Sequence, residues 1–207
     1  MTIAERKERE KEVLKESILD AAMHIFTEKG FSDVSMRNIA ERIDYSPTTI
    51  YLYFKDKNAV LYALHSRGFK MLREKLSVFL EISHPFERLN VMGKAYIEFA
   101  LEHPRLYDLM FIIEEPMDCI EETNEHWMEG KNALHVLIDT LKDCMTSGYF
   151  PDEDPEVLAV SIWSFLHGLC ALKIRGRLNQ VISEQNRESI INQCYDNFAR
   201  VLQSNRV

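Results

Sequence analysis

Apolar residues recur along this chain at intervals of three and four, and no stretch alternates polar with apolar in the manner of a half-buried strand. Val13, Leu14, Ile18, Ala21, Ala22, Ile25 and Phe26 form one helical stripe, and Gly30 closes it with a residue suited to the backbone just past a helix end. Ser35 then offers an N-cap, with Asn38 three residues on and Ile39 and Ile43 behind it. Ser46-Pro47 is a second start, because serine caps and proline takes the first helical position, where no amide donor is needed. Asp56 is a third, opening a long helix with Leu61, Leu64, Met71, Leu72, Leu76, Phe79 and Leu80 on one side.

The same period continues to the C-terminus. After His84-Pro85 a helix carries Leu89, Met92, Tyr96, Phe99 and Ala100; His103-Pro104 breaks it, and Leu106 to Ile113 makes a short apolar helix closed by Pro116. A long helix follows over roughly 120–147, and Gly148 with the turn-rich GYFPDEDP ends it. Asp154-Pro155-Glu156 restarts the chain with a cap, a first-position proline and a first-turn acid. On that helix Leu158, Ile162, Phe165, Leu169 and Leu172 run beside a stripe of small residues, Ser161, Ser164, Gly168 and Ala171, which lets another backbone come close. Past Gly176 a last helix carries Ile191, Cys194, Phe198, Val201 and Leu202. The expectation is an all-α chain of about nine helices.

Charge divides the chain. Residues 1–57 hold 10 Lys+Arg against 11 Asp+Glu, a formal −1 within a total of −8, and so leave −7 to residues 58–207. A partner feels the field within a Debye length of ~8–10 Å, so an acidic total does not exclude nucleic acid. Cysteines 119, 144, 170 and 194 form no Cys-x-x-Cys pair and are expected to be reduced. No apolar run is read as reaching the ~20 residues that span a bilayer. The charged start, MTIAERKEREKEVLKE, is no signal or transit peptide. These features predict a cytoplasmic protein away from membranes. Arg6, Lys7, Arg9 and Lys11 interleave with Glu5, Glu8, Glu10 and Glu12, the pattern of a solvated helix extension rather than a DNA-tracking arm.

Cations, hydroxyls and phenols gather at residues 35–57. Three short helices, the second over 36–43 and the third from Pro47 after the turn Asp44-Tyr45-Ser46, predict a helix-turn-helix. A helix entering a major groove needs small polar residues at its start, because long side chains hold its backbone away from base edges. Thr48 and Thr49 meet that need: hydroxyls for hydrogen bonds and methyls for a thymine methyl. Tyr51 and Tyr53 suit phosphate contact, Arg37 the flanking backbone, and Lys55 and Lys57 an anion at the start of the next helix.

VSMRNIAERIDYSPTTIYLYFKDKNAVLYAL resembles the DNA-binding domain of the TetR family of bacterial transcriptional regulators, over residues 10–64, with YLYFKDK its most specific part. The resemblance implies an all-helical homodimer paired through its last two helices, a recognition helix from Pro47 to Phe54 and a C-terminal effector pocket. It also implies base contacts from Thr48 and Thr49, and phosphate contacts from Arg37, Tyr51, Tyr53 and Lys57. DNA-contacting residues are therefore expected among Arg37, Ser46, Pro47, Thr48, Thr49, Tyr51, Tyr53, Lys55 and Lys57. Where the family has glycine in the turn this chain has Asp44, a residue that tolerates a left-handed backbone. HPRLYDLMF and WSFLHGL, with Trp163, His167 and Gly168, resemble one C-terminal subtype of the same family.

The aromatic and methionine-rich middle supplies candidate ligand contacts: Tyr96, Phe99, Met110, Phe111, Trp127, Trp163 and His167. No His-x-x-x-His, phosphate loop or nucleophile elbow occurs, so neither metal, cofactor nor catalysis is expected. The expected organisation is a helix-turn-helix domain over 1–55 and a ligand-binding and dimerisation domain over 56–207. The expected function is a ligand-responsive repressor that binds a palindromic double-stranded operator as a homodimer and is released by a small, largely apolar effector. The competing reading is a helical small-molecule-binding or interaction module without specific DNA binding.

Overall fold

Six of the ten described α-helices start at side chains that accept hydrogen bonds from the otherwise unpaired first amides. The computed structural model describes residues 2–114 and 128–204. Helix α1 (Ile3–Lys29) starts at Thr2 in a capping box: Thr2 Oγ1 accepts from the Glu5 amide at 3.2 Å, and the Glu5 carboxylate accepts from the Thr2 amide at 2.8 Å. Ser35 caps α2 (Met36–Arg42), Ser46 caps α3 (Pro47–Tyr51), and Asp56 Oδ1 accepts from the Ala59 amide at 2.8 Å to start α4 (Lys57–Ser77). His84 Nδ1 takes the same role for α5 (Pro85–Glu102), and Asp154 for α8 (Pro155–Ile174). Between them lie α6 (Pro104–Phe111) and α7 (Met128–Thr146); α9 (Leu178–Val181) and α10 (Ile190–Ser204) follow. All regular structure among the described residues is helical, as the period predicts. The first eight residues of the helix expected over 120–147 lie outside the described residues, as do Glu115, Pro116, Cys119 and Trp127.

The described residues gather into two compact units, one of residues 2–68 and 105–114, the other of 69–104 and 128–204. Helix α4 contributes to both, its first part to one and its last part to the other.

In the first unit the core is Ile18, Ala22, Ile25 and Phe26 of α1, Ile39 of α2, Ile50 of α3, Leu61 and Leu64 of α4, and Leu106 and Leu109 of α6, all close to fully buried. The apolar stripe of α1 starts later than its sequence suggests, because Val13 is 63% exposed and the buried run opens at Ile18. Gly30 ends α1 at φ 94, a backbone that favours glycine, and the C-terminal carbonyls of Phe26 and Thr27 accept from Arg105 of α6.

In the second unit α5, α7 and α8 pack mutually and α10 lies on α5 and α8. The ring of Phe165 on α8 stacks on Phe198 of α10, 3.9 Å between centroids. Buried residues of α8 are Ala159, Ile162, Leu166, Leu169 and Cys170, whereas Leu172, expected on that face, is 47% exposed with Val157 and Val160. Helix α8 is also the one described helix long and apolar enough, by length and composition, to cross a membrane. Its interior polar positions are mostly small residues rather than ions, so it is apolar on average without being an unbroken apolar run.

Candidate nucleic-acid interface

Helices α2 and α3 are joined by a turn that only a few residue types permit. Asp44 sits at φ 59, in the left-handed region, where the turn was expected to need a tolerant residue. Its neighbour Tyr45 returns its amide to Ala40 O at 3.0 Å, and Ser46 then opens α3. Ser46 Oγ accepts from the Thr49 amide at 3.2 Å and lies 3.0 Å from Thr49 Oγ1. Ile50 is completely buried and Phe54 nearly so, which pins α3 by its inner face. Helix α3 is shorter than the Pro47–Phe54 expected. Its end tightens, with Leu52 bonded to Thr49 O and Tyr53 to Ile50 O, as the chain turns to bury Phe54.

That frame decides what each expected contact residue presents. Pro47 and Thr48 are exposed at the start of α3. Thr49 is half-buried and its hydroxyl is engaged with the cap. Tyr51 is 55% exposed, and Tyr53 is half-buried. Arg37 extends from α2 into solvent, its Nε donating to Glu41 Oε1 at 2.8 Å, and this hydrogen bond with the Glu41 charge raises the guanidinium pKa. Lys55 pairs loosely with Asp56 at 3.9 Å. Lys57 donates to Phe31 O at 2.8 Å, and its ammonium stands 4.0 Å from the centre of the Phe31 ring. The sequence reading passed over Tyr45, half-exposed in the turn next to the cap; its position one residue before Ser46 was the available signal.

The described candidate ligand residues fall in both units. Trp163 Nε1 donates to Tyr96 Oη at 3.1 Å, and both line a narrow cavity of about 50 Å³ in the second unit with Leu89, Met92, Ile162 and Tyr195. Tyr195 closes it by donating to Asn90 O at 2.6 Å. His167 stands edge-on to Trp163, 6.2 Å between centroids, and burial with the nearby Arg175 charge lowers its pKa. Phe99 is buried against His103, 5.2 Å between centroids. Met110 and Phe111 belong to the first unit, where the Met110 thioether fills the space above Gly68 and Phe111 packs on Tyr107. Trp127 lies outside the described residues.

Comparison with known proteins agrees with this arrangement. Residues 18–64 match the model of bacterial regulatory proteins of the tetR family, and residues 89–194 match the tetracyclin repressor-like C-terminal domain. The HTH-type transcriptional repressor KstR of Mycolicibacterium smegmatis is 37% identical over 76 residues, which are 36% of this chain and 37% of that one. The HTH-type transcriptional regulator RutR of Escherichia coli K12 is 26% identical over 157 residues, 72% of this chain and 70% of RutR. A TetR-family transcriptional regulator from Pectobacterium atrosepticum shares the fold, with a TM-score of 0.70 at 19% identity over 100% of this chain and 98% of that one. With its N-terminal segment and its C-terminal half both matched to the family's domains, the chain belongs to the TetR family of bacterial transcriptional regulators.

Proposed function

We propose that this regulator is a repressor that binds a palindromic operator as a homodimer, with α3 of each protomer in a major groove, and that a small apolar effector releases it. The observation that carries the reading is the Ser46 cap. It orients α3 by its N-terminus, so Thr48 reaches outward with its hydroxyl and methyl while Ile50 anchors the opposite face. Arg37, Tyr51, Tyr53, Lys55 and Lys57 are assigned to phosphates on either side. In this reading residues 1–55 hold the DNA-binding function, and residues 56–207 hold effector binding and pairing.

Pairing is assigned to α8 and α10. Val157, Val160, Leu172 and Val201 are exposed, and a methyl added at Gly168 would meet nothing within 4 Å, so a wide apolar strip lacks cover in the single chain. The effector is assigned to the cavity between Tyr96 and Trp163, whose lining is apolar except for that hydrogen-bonded pair and the Tyr195 hydroxyl. The cavity is small, so a ligand must open it. It shifts the regulator only by as much as it prefers the opened state.

The experiment is selection of bound duplexes from a random pool, followed by anisotropy titration on the enriched sequence and mass measurement of the complex. The expected result is an inverted repeat bound by two protomers. Enrichment of no sequence, with binding no tighter than to random duplex, would favour a helical ligand-binding module instead.

A further inference from the structure

We propose that the amino-terminal end of α1 carries a second DNA contact, a basic groove that grips duplex phosphates outside the bases read by α3; the proposal rests on the DNA-binding reading above. The groove has a volume of about 920 Å³ and is lined by Arg6, Lys7, Arg9 and Lys11 on α1 and by Tyr45 and Tyr53 on the helix-turn-helix.

Along the sequence the charges of ERKEREKEVLKE interleave and cancel. Wound into a helix, they separate by face. Four cations line the groove against one carboxylate, Glu10, whose Oε1 is already held by Arg6 Nε at 2.8 Å. Glu5, Glu8, Glu12 and Glu16 do not line it. Lys7, Arg9 and Lys11 have no ion-pair partner among the described residues. Lys7 and Lys11, one turn apart on α1, repel one another, and a polyanion relieves that cost while releasing its own counterions.

The groove is also in the right place and of the right extent. Tyr45 directly precedes the Ser46 cap of α3, and Tyr53 follows the helix, so the groove is edged by the two residues that bracket the reading helix. Its cations run from Arg6 to Lys11, about 7.5 Å at ~1.5 Å per residue, which spans two to three phosphates of a strand carrying one per ~3.4 Å of axis. A free phosphate fills only a fraction of that length. Val13 and Leu14 add apolar lining, suited to deoxyribose rather than to a second ion. Residues 2–13 contribute nothing to the buried core, and the family match opens only at residue 18. A capping box nevertheless fixes the helix from its first residue, so the cations are presented on a stiff rod.

The test uses the full chain and the duplex enriched by the unaltered protein, once with long flanks and once trimmed to the inverted repeat. The variant Lys7→Ala/Arg9→Ala/Lys11→Ala keeps helix propensity high, and Glu10→Gln acts in the opposite sense. On the long duplex the triple variant is expected to lower the slope of log K against log salt by about 0.9 per lost cation, roughly 3 per protomer, with an unchanged base preference. Glu10→Gln is expected to tighten binding several-fold on all sequences alike. Trimming the flanks is expected to weaken the unaltered protein and to leave the triple variant unaffected. An unchanged salt slope in a triple variant of full helical content overturns the proposal, as does an equal effect of trimming on both proteins. Failure of the unaltered protein to bind any duplex removes the regulator reading itself, a different result from loss of the flank effect alone.

Discussion

Lys57 engages Phe31 twice, donating to its carbonyl at 2.8 Å while its ammonium lies 4.0 Å from the centre of its ring. The residue expected to grip phosphate therefore also fastens the start of α4 to the segment that follows α1. A hydrogen bond to a charged group contributes about 1.5–3 kcal/mol. Lys57→Met keeps the aliphatic stem and loses both contacts, so urea denaturation should report about 1–3 kcal/mol less stability. The same variant should weaken binding on all duplexes equally. Full stability with reduced DNA affinity would make the Phe31 contact incidental.

Thr48 and Thr49 are neighbours with different freedom, because the Thr49 hydroxyl is engaged with Ser46 and that of Thr48 faces solvent. Thr48→Ala is expected to alter base preference at one operator position, by about 1–3 kcal/mol between favoured and disfavoured bases. Ser46→Ala is expected instead to cost about 1 kcal/mol of folding stability through the lost cap, with the base profile kept. Sequencing of selected duplexes distinguishes the two, and a profile moved by Ser46→Ala but not by Thr48→Ala would reverse the assignment.

Gly93 is a packing site. A methyl there would overlap the Tyr195 hydroxyl and approach its ring carbons to 2.7 Å, and Tyr195 is held by its bond to Asn90 O. Gly93→Ala should destabilise the second unit by about 1–3 kcal/mol, as overpacked cores do. Tyr195→Phe in the same background keeps the ring and should restore little of this. Thermal melting of the single and double variants checks both, and an unperturbed melt for Gly93→Ala would show that Tyr195 yields freely.

His65 is almost wholly buried in the first unit, and burial lowers its pKa to about 4, with the nearby Met110 backbone offsetting part of the effect. Its pKa when unfolded is near 6.5, so acid protonates the unfolded chain first. The contribution of the neutral ring is complete above about pH 6.5 and declines as pH falls toward 4, by on the order of 3 kcal/mol in total. Denaturation at pH 7.5 and pH 5 should therefore show a loss that His65→Leu reduces. An identical acid loss in that variant would place its origin elsewhere.

The α8 strip gives a prediction for assembly. Gly168→Arg adds a side chain where the single chain has open space, so its fold should survive and helix propensity should rise. Native mass spectrometry at micromolar concentration should then find the variant as a monomer and the unaltered protein as a dimer. A variant that still pairs would move the interface off this face.

Amino-acid order alone determined the helices and most of their starts, because capping and helical period are local: Ser35, Ser46-Pro47, Asp56 and Asp154-Pro155 sit where helices begin. Asp44 in a left-handed turn was legible for the same reason. Even the capping box of α1 was written in TIAE, though it was overlooked. Tertiary structure decided which side chains meet. It placed Met110 over Gly68 and joined Trp163 to Tyr96, 67 residues apart in the chain, and no local pattern encodes either pairing. It also brought Tyr45 and Tyr53 of the helix-turn-helix to the groove that the cations of α1 line, an encounter that no local pattern encodes. Local hydrogen bonding fixes an element from its own residues, whereas a site depends on what other elements bring to it.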